Sequence, residues 1–175
     1  MKTLVAAASL LLAAPAPAEV VKSGDHGFEL RYSQLVPASP KEAMAAFANV
    51  GRWWDKEHTY SGSSSNLSLN LDPGGCFCER FQGGGGIEHL RVTYVDPGKR
   101  VVLTGSLGPL LYDGTSGVMD VQFKPAGSGT EMIMNYKVAG FANGSADKMA
   151  PLVDRVLGGM VSRFSAYATP PRAAR

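Results

Sequence analysis

Apolar Phe28, Leu30 and Tyr32 alternate with polar Glu29, Arg31 and Ser33, the period of two that marks a strand with one buried face. The alternation gives way along Val36-Pro37-Ala38-Ser39-Pro40-Lys41-Glu42 to a helix start. Ser39 is placed to cap it, Pro40 suits the first helical position where no N–H is needed, and Glu42 three residues after Ser39 completes a capping box. Met44, Phe47 and Val50 then recur at helical spacing, and Gly51 turns the chain before Trp53 and Trp54. A polar, Gly- and Ser-rich loop follows from Asp55 to Ser65.

From Leu67 to Val138 short alternating runs are separated by turn chemistry. Leu67, Leu69 and Leu71 share one face, as do Met119, Val121 and Phe123, and then Met132, Met134, Tyr136 and Val138. Asp72-Pro73-Gly74-Gly75, Gly83 to Gly86, Asp96-Pro97-Gly98-Lys99 and Gly127-Ser128-Gly129 supply the fixed φ of proline or the positive φ of glycine that reversals require. Consecutive strands without intervening helices predict an antiparallel meander.

The last element is helical: Met149, Leu152, Val153, Val156, Leu157, Met160 and Phe164 are spaced by threes and fours and need an apolar surface to lie on. Ser145 or Asp147 is the expected cap, and Pro151 is expected to mark where regular helix begins. Gly158-Gly159 each weaken a helix by ~1 kcal/mol, for which close packing on the sheet is the expected compensation. The pattern is therefore α+β, a curved antiparallel sheet with a short helical segment after its first long strand and a long C-terminal helix.

At the other end, Lys2 precedes an apolar run from Leu4 to Ala14 and the small-residue triplet Ala16-Pro17-Ala18, the pattern of a signal peptide, residues 1–18. The expectation is an exported chain, periplasmic or secreted, whose residues 19–169 form a single domain and 170–175 a flexible tail. No other apolar run approaches the length of a membrane span, so no stable membrane insertion is expected. The net charge of +2, with Lys and Arg scattered, gives no nucleic-acid surface.

Taken together, these segments resemble the START-like, birch-pollen-allergen-like superfamily, also called SRPBCC. Val36 to Glu42 resembles its strand-to-helix junction, Arg52-Trp53-Trp54 its aromatic segment, and Pro73-Gly74-Gly75-Cys76-Phe77 its Gly-Gly strand start. Asp96-Pro97-Gly98-Lys99-Arg100 and Thr130-Glu131-Met132 are similar to the branch of Hsp90-ATPase activators and polyketide cyclases. The resemblance runs from Phe28 to Tyr167 and implies the helix-grip fold, with a cavity between the curved sheet and the terminal helix. It implies a small hydrophobic or amphipathic cargo, lipid, aromatic or polyketide-like. A co-chaperone role toward a cytosolic ATPase conflicts with the export signal, and fold alone does not fix chemistry.

Candidate ligand-binding residues are Trp53, Trp54, Met119, Met132, Met134, Met149, Val153 and Met160, since methionine suits an adaptable apolar pocket and tryptophan offers a flat wall with one donor. Each of these also reads as ordinary core. Glu79, His89 and Arg91 are weak catalytic candidates on neighbouring strands. The period-2 rule sets His89 and Arg91 on one face; if that face is concave, the set can do acid–base work of the cyclase or dehydratase type. The competing reading turns Leu90, Val92 and Tyr94 inward and the charged groups into water. Cys76 and Cys78 allow free thiols, a local disulfide or part of a metal site. No nucleophile elbow, zinc-binding helix, P-loop or dinucleotide fingerprint is present, so no cofactor and no metal is expected. A third reading is a protein-interaction module with a filled cavity and an exposed patch around Trp53 to Tyr60.

Overall fold

The computed structural model describes residues 19–169. The expected signal peptide, residues 1–18, and the expected tail, residues 170–175, lie outside the described residues. Eight antiparallel strands form one sheet: β1 (Glu19–Gly24), β2 (Gly27–Val36), β3 (Leu67–Leu69), β4 (Cys76–Arg80), β5 (Gly86–Asp96), β6 (Arg100–Gly105), β7 (Ser116–Ala126) and β8 (Gly129–Ala139). Their order is β1-β2-β8-β7-β6-β5-β4-β3, so the meander closes back on the first hairpin through the long β2–β8 pairing. Inward positions of β2, β7 and β8 follow the alternation of the sequence, with Leu30, Tyr32, Val121, Phe123, Met132 and Tyr136 buried.

Helix α1 (Pro40–Ala48) begins as its sequence dictates. Ser39 accepts from the Glu42 amide and the Glu42 carboxylate accepts from the Ser39 amide at 2.9 Å, with Pro40 in the first turn. The helix stops at Ala48, and Gly51 falls within a 3₁₀ turn, Val50–Arg52, that swings Trp53 back over Phe47 and sets Trp54 against Trp53 and Phe77.

Helix α2 (Ala146–Ala168) is gripped by the sheet, running against β1 and β2 and touching α1. Leu157, Met160, Val161 and Phe164 of its C-terminal half enter the core, where Phe164 packs edge-on to Trp53 and Phe47. Two expectations are corrected here. Regular helix begins at Ala146, five residues before Pro151, with Ser145 at the cap position in a left-handed conformation and its hydroxyl not capping. Gly159 is exposed, and a Cβ placed there would meet nothing within 4 Å, so close packing does not explain it.

Two irregularities on β5 bend the sheet. Phe77 pairs with Leu90 but Cys78 pairs with Glu88, which leaves His89 as an extra residue on β5. Val92 pairs with Leu103 and Tyr94 with Val102, leaving Thr93 extra in the same way. Each bulge resets which side chains face inward.

Candidate functional site

The first bulge makes adjacent His89 and Leu90 both face the interior, at 4% and 0% exposure, and turns Arg91 out. His89 and Arg91 therefore do not share a face: the period-2 expectation fails because β5 holds one residue more than its partner. The alternative fails in part as well, since Leu90 and Val92 are inward but Tyr94 is exposed beneath the Arg100 guanidinium. Arg91 instead pairs with Glu88 and donates to the Gly74 carbonyl at 2.8 Å.

Glu79 sits inward on β4, 1% exposed, and its carboxylate is enclosed by donors. It accepts from the backbone amides of Tyr60 and Ser61 and meets His89 Nε2 at 3.2 Å. Burial alone would raise its pKa; the Ser61 hydroxyl, these amides and His89 outweigh burial and hold the carboxyl below its ordinary range. His89 Nδ1 accepts from the Gly108 amide at 3.3 Å, so the ring proton is on Nε2 and is donated to Glu79. Burial depresses the imidazole pKa, and attraction to Glu79 offsets only part of that. The pair is thus a carboxylate and a neutral imidazole, pinning the loop at Tyr60–Ser61 and the turn at Gly108 to the sheet. Phe77 and Tyr60 flank the His89 ring, Tyr60 stacked at a 22° interplanar angle.

In front of His89 lies a cleft of about 400 Å³. One wall is aromatic, with Trp54, Tyr60 and His89; the other is aliphatic, with Leu107 to Leu110 from a 3₁₀ segment and Met149, Leu152, Val153 and Val156 from the N-terminal half of α2. Glu57, His58 and Thr59 complete the lining. The Trp54 Nε1 donor is already satisfied by the His58 carbonyl at 3.0 Å.

Of the sequence-derived ligand candidates, Trp54, Met149 and Val153 line this cleft. Trp53, Met119, Met132, Met134 and Met160 surround a residual void of about 20 Å³ deeper in the core, too small for a ligand. Trp53 is held there by its bond to the Ala46 carbonyl at 3.1 Å. Leu107, Leu110, Leu152, Val156 and Tyr60 were not singled out by sequence reasoning. Leu152 and Val156 share the apolar stripe of α2 and could have been, whereas the Leu107–Leu110 segment carries no periodic signal. The two cysteines form a disulfide. The sulfurs cluster with the Glu88 carboxylate within 4.8 Å, but bonded to each other they offer no thiolates to a metal.

No protein-family model matches the chain, and no curated protein matches its sequence. Solved structures match its fold. The Mll3558 protein of Rhizobium loti is similar at a TM-score of 0.52 and 22% identity, over 78% of this chain and 96% of the other. CalU16 from Micromonospora echinospora gives 0.53 and 13%, over 88% and 83%. Ara h 8.0201 gives 0.54 and 12%, over 81% and 97%. At such identities the likeness concerns the fold alone, and the fold it concerns is a curved antiparallel sheet closed around a long terminal helix. The chain has the helix-grip fold.

Proposed function

We propose that this protein is an exported binder of a small hydrophobic or amphipathic molecule, held in the cleft between the N-terminal half of α2, the Leu107–Leu110 segment and the Trp54–Tyr60 loop. The carrying observation is a cleft of about 400 Å³, within the ~300–1,000 Å³ of small-molecule sites, whose lining is mostly apolar. Its inner polar groups are already paired: Trp54 Nε1 with a carbonyl, His89 through both ring nitrogens. Affinity then comes from buried apolar area, and the polar end of an amphipathic ligand is best placed at the mouth near Glu57, His58 and Thr59.

Acid–base catalysis by Glu79 gains no support from this arrangement. The carboxylate is enclosed by two amides and an imidazole and does not line the cleft. Export is supported by the leader pattern at residues 1–18 and by the Cys76–Cys78 disulfide, which persists in oxidising compartments. Aromatic, lipid and polyketide-like cargoes all suit the lining.

The test is titration of the purified protein with 1-anilinonaphthalene-8-sulfonate and a panel of fatty acids and polycyclic aromatics, followed by fluorescence and thermal shift. Saturable one-to-one binding that Val153→Trp weakens at least tenfold is expected. Absence of saturable binding across the panel, or equal binding by Val153→Trp, would sink the proposal.

A further inference from the structure

Cys76 and Cys78 lie half-buried on the outer face of β4, their Cα atoms 5.4 Å apart and their sequence separation only 2. Such a bridge encloses almost no chain, and the entropy a disulfide removes from the unfolded state grows with the loop it closes. A structural staple is therefore the poorest account of it.

Two further observations point to chemistry. The strand register sets Arg91 opposite Cys76 and Glu88 opposite Cys78, and a Glu88 carboxylate oxygen lies within 4.8 Å of both sulfurs. Across the strand pair the bridge thus faces an ion pair, Arg91 with Glu88: the cation opposite Cys76 favours thiolate there, and the carboxylate, close to both sulfurs, can relay a proton. Secondly, the bridge spans Phe77, where the pairing of β4 with β5 slips by one residue. Drawing the Cα atoms in from the ~6.6 Å of two extended-strand rises shortens β4 where β5 carries its surplus residue, His89. That bulge turns His89 into the wall of the cleft.

We propose that Cys76–Cys78 is a thiol-exchange site for an external dithiol, and that its redox state reshapes the cleft through the His89 bulge. The second half rests on the cleft being the binding site. A thiolate of the dithiol attacks Cys78 Sγ, the S–S bond breaks, and the electron pair departs on Cys76 Sγ, across from Arg91. The second thiol of the reductant, once deprotonated, attacks its own sulfur in the mixed disulfide and releases Cys78 as a thiolate. Two electrons pass to the protein, the reductant closes to a disulfide, and its two protons end on the two freed sulfurs. With the bond gone, β4 relaxes toward extended spacing, and the bulge that holds His89 against Glu79 and Gly108 loses its cause.

The test treats the purified protein with graded dithiothreitol in the absence of denaturant, alkylates the freed thiols and weighs the products. Binding of 1-anilinonaphthalene-8-sulfonate is measured in both redox states. Full reduction of the folded protein is expected, with a rate lowered about tenfold in Arg91→Gln and largely retained in Arg91→Lys. Reduction should change the probe dissociation constant at least threefold, and the Cys76→Ser/Cys78→Ser double variant should match the reduced protein. A bridge that yields only after urea unfolding overturns the exchange site. Reduction of the folded protein with unchanged probe affinity overturns the coupling and leaves the cleft reading standing. Oxidised protein that binds no probe overturns the cleft reading and the coupling with it, while the alkylation result judges the exchange site independently. All decisive readings come from the wild type, so a double variant that fails to fold does not remove the test.

Discussion

The Tyr32 hydroxyl crosses the interior from β2 to donate to the Asp154 carboxylate of α2 at 2.8 Å. Tyr32 is almost fully buried, and Asp154 lies between Val153 and Val156, which line the cleft, so one hydrogen bond sets the seat of the wall-forming part of the helix. Burial, then the bond and the charge of Asp154, push the hydroxyl far above the ordinary range of a phenol, so it remains a donor. Tyr32→Phe is expected to lower stability by about 1–2 kcal/mol, read as a reduced urea midpoint at unchanged slope. A midpoint equal to wild type would mean that the bond does not anchor the helix.

Acid should weaken the protein in two steps of the same sign. His89 has a folded pKa below its ordinary 6.5, so the unfolded chain takes up its proton first; that contribution is whole above pH 6.5 and is lost as pH falls through the lower folded value. Protonation there also costs the Gly108 bond, because Nδ1 would no longer accept. Glu79, likewise depressed from 4.5, contributes above that pH and loses its contribution further down. Urea midpoints followed from pH 8 to about 3 should fall in both windows, and His89→Gln should erase the upper one. A flat profile between neutrality and the carboxylate range would contradict the neutral-imidazole assignment.

Removing the carboxylate has a local signature as well. Glu79→Ala strips the acceptor from the Tyr60 and Ser61 amides and from His89, and leaving buried donors without an acceptor costs about 1–3 kcal/mol for each group. Hydrogen exchange at those two amides should accelerate beyond what the global loss explains. Uniform acceleration throughout the chain would show that Glu79 does not pin this loop.

Gly159 offers the opposite result. It is exposed on α2 with open space where a Cβ would stand, so Gly159→Ala should stabilise by about 0.5–1 kcal/mol and raise Tm by about 1–4 °C. Calorimetry decides this directly. A loss of stability would reveal a neighbour or a bend at that position that the helix does not display.

The Tyr136 hydroxyl is the buried side-chain polar atom without a hydrogen-bond partner among the described residues, and its ring fits against Gly117, where a Cβ would stand 2.8 Å from Cε2. Tyr136→Phe is expected to be neutral or stabilising by up to about 1 kcal/mol, whereas Gly117→Ala should cost about 1–3 kcal/mol. Denaturation of both variants tests the pair. A substantial penalty for the phenylalanine would establish that the hydroxyl has a function in the fold.

These contrasts mark what local pattern carries. Ser39, Pro40 and Glu42 specify a helix start by themselves, because a capping box involves only residues in one turn. The alternation at Met132, Met134 and Tyr136 reads correctly because β8 pairs without slippage along its whole length. His89 reads wrongly because it is itself the surplus residue of β5, and a residue is surplus only relative to the count in β4, a different segment that a period of two along β5 does not register. The methionines were legible as inward-facing, but inward means core at Met119 and Met132 and cleft at Met149. That difference is set by where α2 touches the sheet and where it stands off.

Pro151 supplies no amide to the carbonyl of Asp147, and it stands between Met149 and Leu152, both of which line the cleft. The opening turns of α2 are therefore short of a rung, while the turns carrying Leu157, Met160 and Phe164 are fastened into the core. The same helix is therefore unevenly secured: its C-terminal half belongs to the frame, while its cleft-facing turns hang on the Tyr32–Asp154 bond and the packing of Ala146 and Ala150, and are expected to be the first part of it to open in local unfolding.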